Sequence, residues 1–155
     1  MLKIIFIILP TVLTFSACTP SKTQNSTPKI TQGVEGFVYK ISGNQMPMPG
    51  ITPPKPNGIA TFIYIYEQTN IKDVVRIEYS PYYRAINKNL ITTIQSDSTG
   101  HFIVQLPVGS YSFFTKIGDL YYANLFDTEN NIALIKVNEG KITETVINID
   151  AGATY

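Results

Sequence analysis

The sequence predicts an all-β fold, a sandwich of about seven short strands. From residue 33 onward, runs of β-branched and aromatic residues recur, which favour a pleated and partly buried backbone. Short clusters of Gly, Asp, Asn, Ser and Pro separate these runs at the spacing typical of turns. No stretch shows the convincing apolar periodicity of an amphipathic helix. Short strands at this spacing indicate a β-sandwich.

The first seventeen residues have the order of a secretory signal peptide. Lys3 supplies the positive charge, Ile4–Phe15 is almost wholly apolar, and two small residues follow. The apolar run is too short to span a bilayer, which needs about 20 apolar residues, and Pro10 interrupts it. We therefore expect residues 1–17 to be a signal peptide and the chain to be exported.

Cys18 is the candidate lipidation site. Phe15-Ser16-Ala17-Cys18 resembles the lipobox of bacterial lipoproteins, in which the cysteine is acylated and becomes the mature N-terminus. The resemblance implies attachment to a membrane through lipid on Cys18. Each buried CH₂ of an acyl chain contributes about 0.8 kcal/mol, so two or more chains anchor a protein stably. The expected location is the bacterial cell envelope.

Residues 18–31 are expected to form the lipidated cysteine and a flexible tether. The segment is polar, contains two prolines and lacks the periodicity of a helix or a strand. Residues 32–155 then form a single folded domain. Because no acidic run follows Cys18 that would resemble a surface-export signal, the sequence favours the periplasmic face of the membrane.

Composition excludes several function classes. Removing residues 1–17 leaves 138 residues with 11 Lys and Arg against 11 Asp and Glu, because Lys3 is lost from the 12 basic residues. A chain without net charge or a basic block is not expected to bind nucleic acid. Cys18 is the single cysteine, so an acylated chain has no thiol for a disulfide, a metal or a nucleophile. We expect no cofactor.

The strand pattern is clearest in the run from Ile59 to Glu67. Phe62, Tyr64 and Tyr66 share one face of this run, and Thr61, Ile63 and Ile65 share the other. Apolar residues on both faces predict a central strand. The complete set of predicted strands is 34–41, 59–67, 89–95, 101–106, 111–117, 132–138 and 141–150.

Turn residues separate the later strands, and one stretch is ambiguous. Asp97-Ser98-Thr99-Gly100 and Pro107-Val108-Gly109-Ser110 predict turns, and Asn138-Glu139-Gly140 predicts the turn of a hairpin. Asn70–Lys88 is compatible with a short strand at Val74–Tyr79 followed by a loop.

The run from Gly100 to Ser112, GHFIVQLPVGSYS, resembles the G-x-F-x-x-x-L-P-x-G-x-Y signature of carboxypeptidase regulatory-like domains. Gly43–Pro47, Ile63–Glu67 and Ile149–Ala151 resemble further stretches of a lipoprotein-type branch of that family. The resemblance covers residues 32–155 and implies a transthyretin-like Greek-key sandwich without catalytic activity of its own.

The residues of this signature also have a direct physical interpretation. Phe102, Val104 and Leu106 alternate, so they face one side of a strand, and Gly100 is expected to make a hairpin turn before them. Tyr111 is placed to pack its ring while its hydroxyl reaches the backbone at the corner.

Catalytic and metal sites are not expected. His101 is the single histidine, so the chain lacks the ligand set of a zinc peptidase and the base of a serine hydrolase. We expect its side chain to point outward from a strand. The acidic residues near loops are too sparse for a calcium loop and are expected to stabilise turns; they are Asp97, Asp119, Asp127 and Glu129.

The candidate binding residues are Tyr79, Tyr82, Tyr83 and Arg84, which surround a proline in the least regular part of the domain. Exposed Tyr and Arg are enriched at interfaces because they bury much area at a modest entropic cost. The alternative interpretation is that most of these rings cover the edge of the sandwich. The sequence therefore favours a lipid-anchored, non-enzymatic module that binds another envelope protein. The alternative function is carbohydrate binding, since tyrosine rings also stack on sugars.

Overall fold

The computed structural model describes residues 30–46, 49–50, 52 and 55–155. The predictions for the signal peptide, Cys18 and nearly all of the tether lie outside these residues. The described part contains eleven strands: β1 (Gly33–Asn44), β2 (Asn57–Gly58), β3 (Phe62–Glu67), β4 (Val74–Arg76), β5 (Tyr82–Ile86), β6 (Leu90–Gln95), β7 (His101–Gln105), β8 (Gly109–Ile117), β9 (Leu120–Tyr122), β10 (Leu134–Val137) and β11 (Ile142–Thr154). A three-residue 3₁₀ turn, Ile71–Asp73, precedes β4.

The strands form two sheets, as the all-β sandwich prediction requires. In the first sheet β1 pairs with β11 on one side and with β7 and β2 on the other. The pairing of β1 with β11 is parallel and begins at Gly33 opposite Ile142. In the second sheet the order is β4-β5-β9-β8-β3-β6, and β10 also pairs with β8. The fold class is therefore confirmed, with more strands than the seven expected.

The main core lies between the two sheets. Val34, Phe102 and Ile149 enter it from the first sheet, and Ile63 and Phe113 enter it from the second. The central position predicted for the run 59–67 is confirmed, because β3 pairs with β6 on one side and with β8 on the other. The predicted alternation is also confirmed: Val104 and Leu106 are buried together with Phe102.

The described chain crosses between the sheets at four connections. They lead from β2 to β3, from β6 to β7, from β7 to β8 and from β10 to β11. The hairpins predicted at Gly100 and at Asn138–Gly140 are therefore wrong. Gly and Asn provide a tight turn in either case, and the sequence does not show whether the next strand joins the same sheet or the opposite one.

The turn at Asp97 shows why these residue types are needed. The Asp97 carboxylate accepts hydrogen bonds from the backbone N–H of Thr99 at 2.8 Å and of His101 at 3.0 Å. The Thr99 hydroxyl also donates to it and lowers the pKa of the carboxyl group. Gly100 has φ +86°, and a Cβ there would lie 2.2 Å from the Val38 carbonyl oxygen. The predicted turn is confirmed.

Tyr111 forms the predicted corner between β7 and β8. Its ring is buried in the main core, and its hydroxyl donates to the Pro107 carbonyl at 3.0 Å. This hydrogen bond joins the first residues after β7 to the beginning of β8. The corner therefore fixes the direction in which the chain enters the second sheet.

The second sheet also has a smaller core on its outer face. Tyr66, Tyr83, Phe114, Ala123 and Ile132 form this cluster. Tyr66 and Phe114 each follow a residue that faces the main core, so alternation turns them outward. The segment 123–133 covers them, because both Ala123 and Ile132 belong to it. This outer core explains why both faces of β3 are apolar.

The stretch 70–88 is more regular than the sequence indicated. The predicted strand at Val74–Tyr79 is present over Val74–Arg76, but the loop expected after it contains β5, which pairs with β4 and with β9. The prediction of a loop over residues 82–86 is therefore wrong. Ser80 and Pro81, just before β5, suggested a loop, and β5 does not show the clear alternation of a strand because both of its faces are partly apolar.

Candidate functional site

Tyr83 does not lie on the surface. Its exposed fraction is 0%, and its ring meets Phe114 edge-to-face with centroids 5.7 Å apart. Its hydroxyl donates to the Ala123 carbonyl at 3.2 Å. Burial raises the pKa of the phenol to about 12. The prediction that Tyr83 belongs to a binding surface is wrong, because β5 directs this ring into the outer core.

The other predicted binding residues are separated by strand alternation. Tyr82 points to the opposite face from Tyr83 and is partly buried, with its ring 5.4 Å from that of Tyr122. Arg84 is exposed. Tyr79 lies in the turn between β4 and β5 with 95% of its surface exposed. Tyr79 and Arg84 are thus the candidate residues that solvent reaches freely.

Arg76 fixes the turn that carries Tyr79. Its guanidinium donates to the Ser80 carbonyl at 2.7 Å and to the Tyr79 carbonyl at 2.8 Å. The Ser80 hydroxyl in turn donates to the Ile77 carbonyl. These bonds hold the backbone of the turn while the Tyr79 ring extends into solvent.

His101 points outward from the first sheet, as expected. Its Nε2 lies 2.9 Å from Glu35 Oε1, and its ring centroid is 5.2 Å from that of Phe37. Glu35 comes close because Phe37 is the direct cross-strand partner of His101. Sequence reasoning missed this pair, since the two residues are 66 positions apart and only the register of β1 against β7 brings them together.

Asp127 acts as a turn residue in the same way as Asp97. Its carboxylate accepts from the backbone N–H of Glu129 at 2.9 Å and of Asn131 at 2.8 Å, and from the Asn131 side chain. The side-chain hydrogen bond from Asn131 lowers the pKa of this carboxyl group. Across the described ranges, no group of three or more His, Cys, Asp or Glu residues is arranged to hold a metal ion.

An apolar crevice, which sequence reasoning did not identify, opens between β10 and β11. We call it the edge crevice. Its volume is about 280 Å³, and its apolar walls include Phe113, Leu125, Phe126, Ile135 and Val146. It lies where the edge of one sheet faces the edge of the other, so solvent reaches the space between the sheets.

Contacts between the two sheets close the edge crevice at both ends. At one end the Thr143 hydroxyl donates to the Lys136 carbonyl at 2.8 Å. At the other end the Tyr122 hydroxyl donates to the Asp150 carboxylate, and burial, followed by this bond, raises the pKa of the phenol. These two contacts hold the sheets together on either side of the opening and so fix where the edge crevice begins and ends.

The wall of the edge crevice formed by Leu125 and Phe126 is held by backbone hydrogen bonds. The Ala133 N–H donates to the Leu125 carbonyl at 2.9 Å, and Phe126 forms a bridge with Ile132. Leu125 and Phe126 are nevertheless 59% and 40% exposed. The sequence offered one signal, an apolar pair immediately before the turn residue Asp127, and this signal is too short to distinguish a surface wall from a core contact.

Comparison with known proteins gives no relative: no family model, curated protein or solved structure matches this chain. The resemblance of residues 32–155 to carboxypeptidase regulatory-like domains therefore stays a prediction. In the described part of the chain, no helix is long and apolar enough to cross a membrane. Fold and geometry together define an all-β sandwich with an apolar crevice at its open edge.

Proposed function

We propose that this chain is a lipid-anchored, non-catalytic β-sandwich of the bacterial cell envelope that binds another envelope protein. The N-terminal pattern ending in Cys18 supports the anchor. The first strand begins at Gly33, so the tether leads directly into the sandwich. A lipid on Cys18 would hold the domain close to the membrane, where its partner is expected.

The edge crevice is the observation that carries the binding role. Leu125 and Phe126 expose large apolar surface beside a concave site, and neither residue belongs to one of the two cores. Concave apolar surface that stays open to solvent is typical of interaction sites. We therefore place the protein-binding surface at the edge crevice, and the tyrosines predicted from the sequence lie elsewhere.

Lipidation is tested by metabolic labelling with an alkyne analogue of palmitate. The chain should incorporate the label and sediment with membranes, and Cys18→Ala should abolish labelling and release the protein from the membrane pellet. A chain that retains the label after Cys18→Ala would refute the assignment of this cysteine.

Partner binding is tested by cross-linking in intact cells followed by affinity purification. Leu125→Asn should reduce recovery of the partner, because it places a polar group in the wall of the edge crevice. Val108→Asn is the matched control, since Val108 is 58% exposed but lies in the turn between β7 and β8. Equal recovery from both variants would exclude the edge crevice as the binding surface.

Carbohydrate binding is the second candidate function, and the exposure of Tyr79 favours it. A ring that is 95% exposed on a fixed turn is available to stack on a sugar, and the exposed Arg84 on β5 offers hydrogen-bond donors. Binding on a glycan array that Tyr79→Ala abolishes would support this function. A blank array with the wild-type protein would exclude it.

A further inference from the structure

The strand β11 borders the edge crevice with an unpaired backbone. Among the residues that the structure describes, β11 pairs with β1 alone. The Gly33 N–H donates to the Lys141 carbonyl at 3.1 Å, so the backbone of Lys141 faces β1. The N–H and C=O groups of successive residues point to opposite edges of a strand, so those of the odd-numbered residues of β11 up to Ile149 point toward β1. The N–H and C=O groups of Val146 and Asn148 point away from β1.

An independent contact at the far end of the strand agrees with this assignment. The Asp150 N–H donates to the Tyr122 hydroxyl at 3.3 Å, on the side of β11 away from β1. Asp150 lies two and four residues after Asn148 and Val146, so the backbone groups of all three point to the same edge of β11. Val146 and Asn148 thus present N–H and C=O groups to the edge crevice, which both of them line.

An edge of this kind is a template for another strand. Proteins usually protect long edge strands with charges, prolines, bulges or a covering segment. The stretch Thr145–Asn148 contains neither a charge nor a proline, and the bulge of this sheet lies beyond it, between Lys40 and Ser42 of β1. From Thr143 to Asp150 the strand extends for about 23 Å, at about 3.3 Å per residue. This length accommodates a short added strand.

The volume and charge of the edge crevice define the chemistry of that strand. About 280 Å³ accommodates one or two aliphatic side chains beside the apolar wall. Among the lining residues Asp127 is the one with a charged side chain, and Glu144 is the next residue of β11 whose backbone faces the open edge. Arg76 lies over the Phe126 ring at 5.2 Å and keeps its positive charge while it donates to backbone carbonyls, and Lys136 lies at the end of the crevice that Thr143 closes. The charged side chain of the lining itself is acidic, so a basic residue of the added strand would complement Asp127.

We propose that the partner binds by β-strand addition: an extended peptide segment pairs with the free edge of β11 at Val146 and Asn148. Aliphatic side chains of the segment enter the edge crevice, and a lysine or arginine lies beside Asp127. Main-chain hydrogen bonds supply affinity in this mode of recognition, and alternate side chains supply specificity. This inference rests on the proposed function, because it names the class of partner that the same surface takes.

The test uses phage-displayed random dodecapeptides selected against the full chain in lipid nanodiscs. Selected peptides should alternate aliphatic and polar residues and contain a basic residue. Asn148→Pro removes the N–H that faces the crevice and spares the hydrogen bonds to β1, because a proline is tolerated where the N–H points away from the sheet. Its matched control, Asn148→Thr, changes the side chain and keeps the N–H.

We expect Asn148→Pro to weaken binding of a selected peptide about tenfold, the effect of losing one backbone hydrogen bond, and Asn148→Thr to leave it nearly unchanged. Circular dichroism and thermal unfolding verify that each variant is folded. If Asn148→Pro does not fold, methylation of single backbone nitrogens in the peptide gives the same test, with losses at alternate positions only.

Three outcomes would overturn the inference: no selected peptides, peptides whose affinity Asn148→Pro and backbone methylation leave unchanged, or a dimer of this chain that occupies the edge. The proposed function fails separately. A partner recovered from cells that is lost in Leu125→Asn and retained in Asn148→Pro would support the interaction module while refuting strand addition.

Discussion

Replacing Tyr83 by alanine should strongly destabilise the protein, although the sequence presents this residue as part of an exposed aromatic segment. The ring is fully buried and packs edge-to-face on Phe114. Removing a buried aromatic side chain costs about 3 to 5 kcal/mol, through lost transfer free energy and the cavity left behind. A domain of this size is typically stable by about 5 to 15 kcal/mol, so the loss is a large fraction of the total.

Two further variants separate the contributions at this position. Tyr83→Phe keeps the ring and removes the hydrogen bond to the Ala123 carbonyl, which should cost about 1 kcal/mol. Tyr79→Ala is the surface control, and a change within about 0.5 kcal/mol is expected because its ring is 95% exposed.

Urea unfolding followed by circular dichroism measures these differences. With a slope of about 1.5 kcal/mol per molar urea, Tyr83→Ala should lower the unfolding midpoint by about 2 to 3 M, and Tyr79→Ala should leave it within about 0.3 M. If the midpoints of these two variants agree, the outer core does not contribute to stability as the structure indicates.

Three other perturbations test separate parts of the fold. Tyr111→Phe removes the hydrogen bond from the hydroxyl to the Pro107 carbonyl and should lower the free energy of unfolding in urea by about 1 kcal/mol. An unchanged urea midpoint would show that this hydrogen bond does not stabilise the corner. Gly36→Ala should destabilise by about 2 kcal/mol or more, because its Cβ would lie 2.1 Å from the Thr145 carbonyl oxygen; an unchanged melting temperature would refute the β1–β11 pairing at this point. In alkali, burial raises the pKa of Tyr83 from 10.0 to about 12, so its contribution is complete below pH 10 and is lost as the pH rises through 12. The tyrosinate absorbance that Tyr83 contributes should then appear together with loss of the circular dichroism signal. Ionisation of every tyrosine below pH 11 in a protein that remains folded would contradict the burial of Tyr83.

Local features of the fold were predictable from the sequence, because their causes lie within a few residues. Alternation placed Phe102, Val104 and Leu106 in the core, and the corner at Tyr111 follows from a Pro and a Gly at fixed spacing before an aromatic residue. Alternation likewise separates the neighbours Tyr121 and Tyr122: Tyr122 enters the main core, and Tyr121 packs against the outer core.

Features that depend on pairing between distant strands were not predictable. The face that Tyr83 occupies is set by the neighbours of β5, and the segment that covers it is 40 residues away in the chain. The edge crevice likewise arises because β10 and β11 belong to different sheets. A sequence with the same alternation is compatible with a hairpin at Asn138–Gly140, and a hairpin would have closed this opening.

The parallel pairing of the first strand with the last has a consequence for when the protein folds. Gly33 pairs with Ile142, so the first sheet stays incomplete until every strand between β1 and β11 has been synthesised. Contacts between such distant segments slow folding, because the chain must close a long loop before any pairing stabilises it. A chain emerging from the ribosome would lack β11 until all of the strands from β2 to β10 had been synthesised. If the N-terminal segment directs export as we propose, late closure would keep the polypeptide unfolded while it is still to be threaded across the membrane.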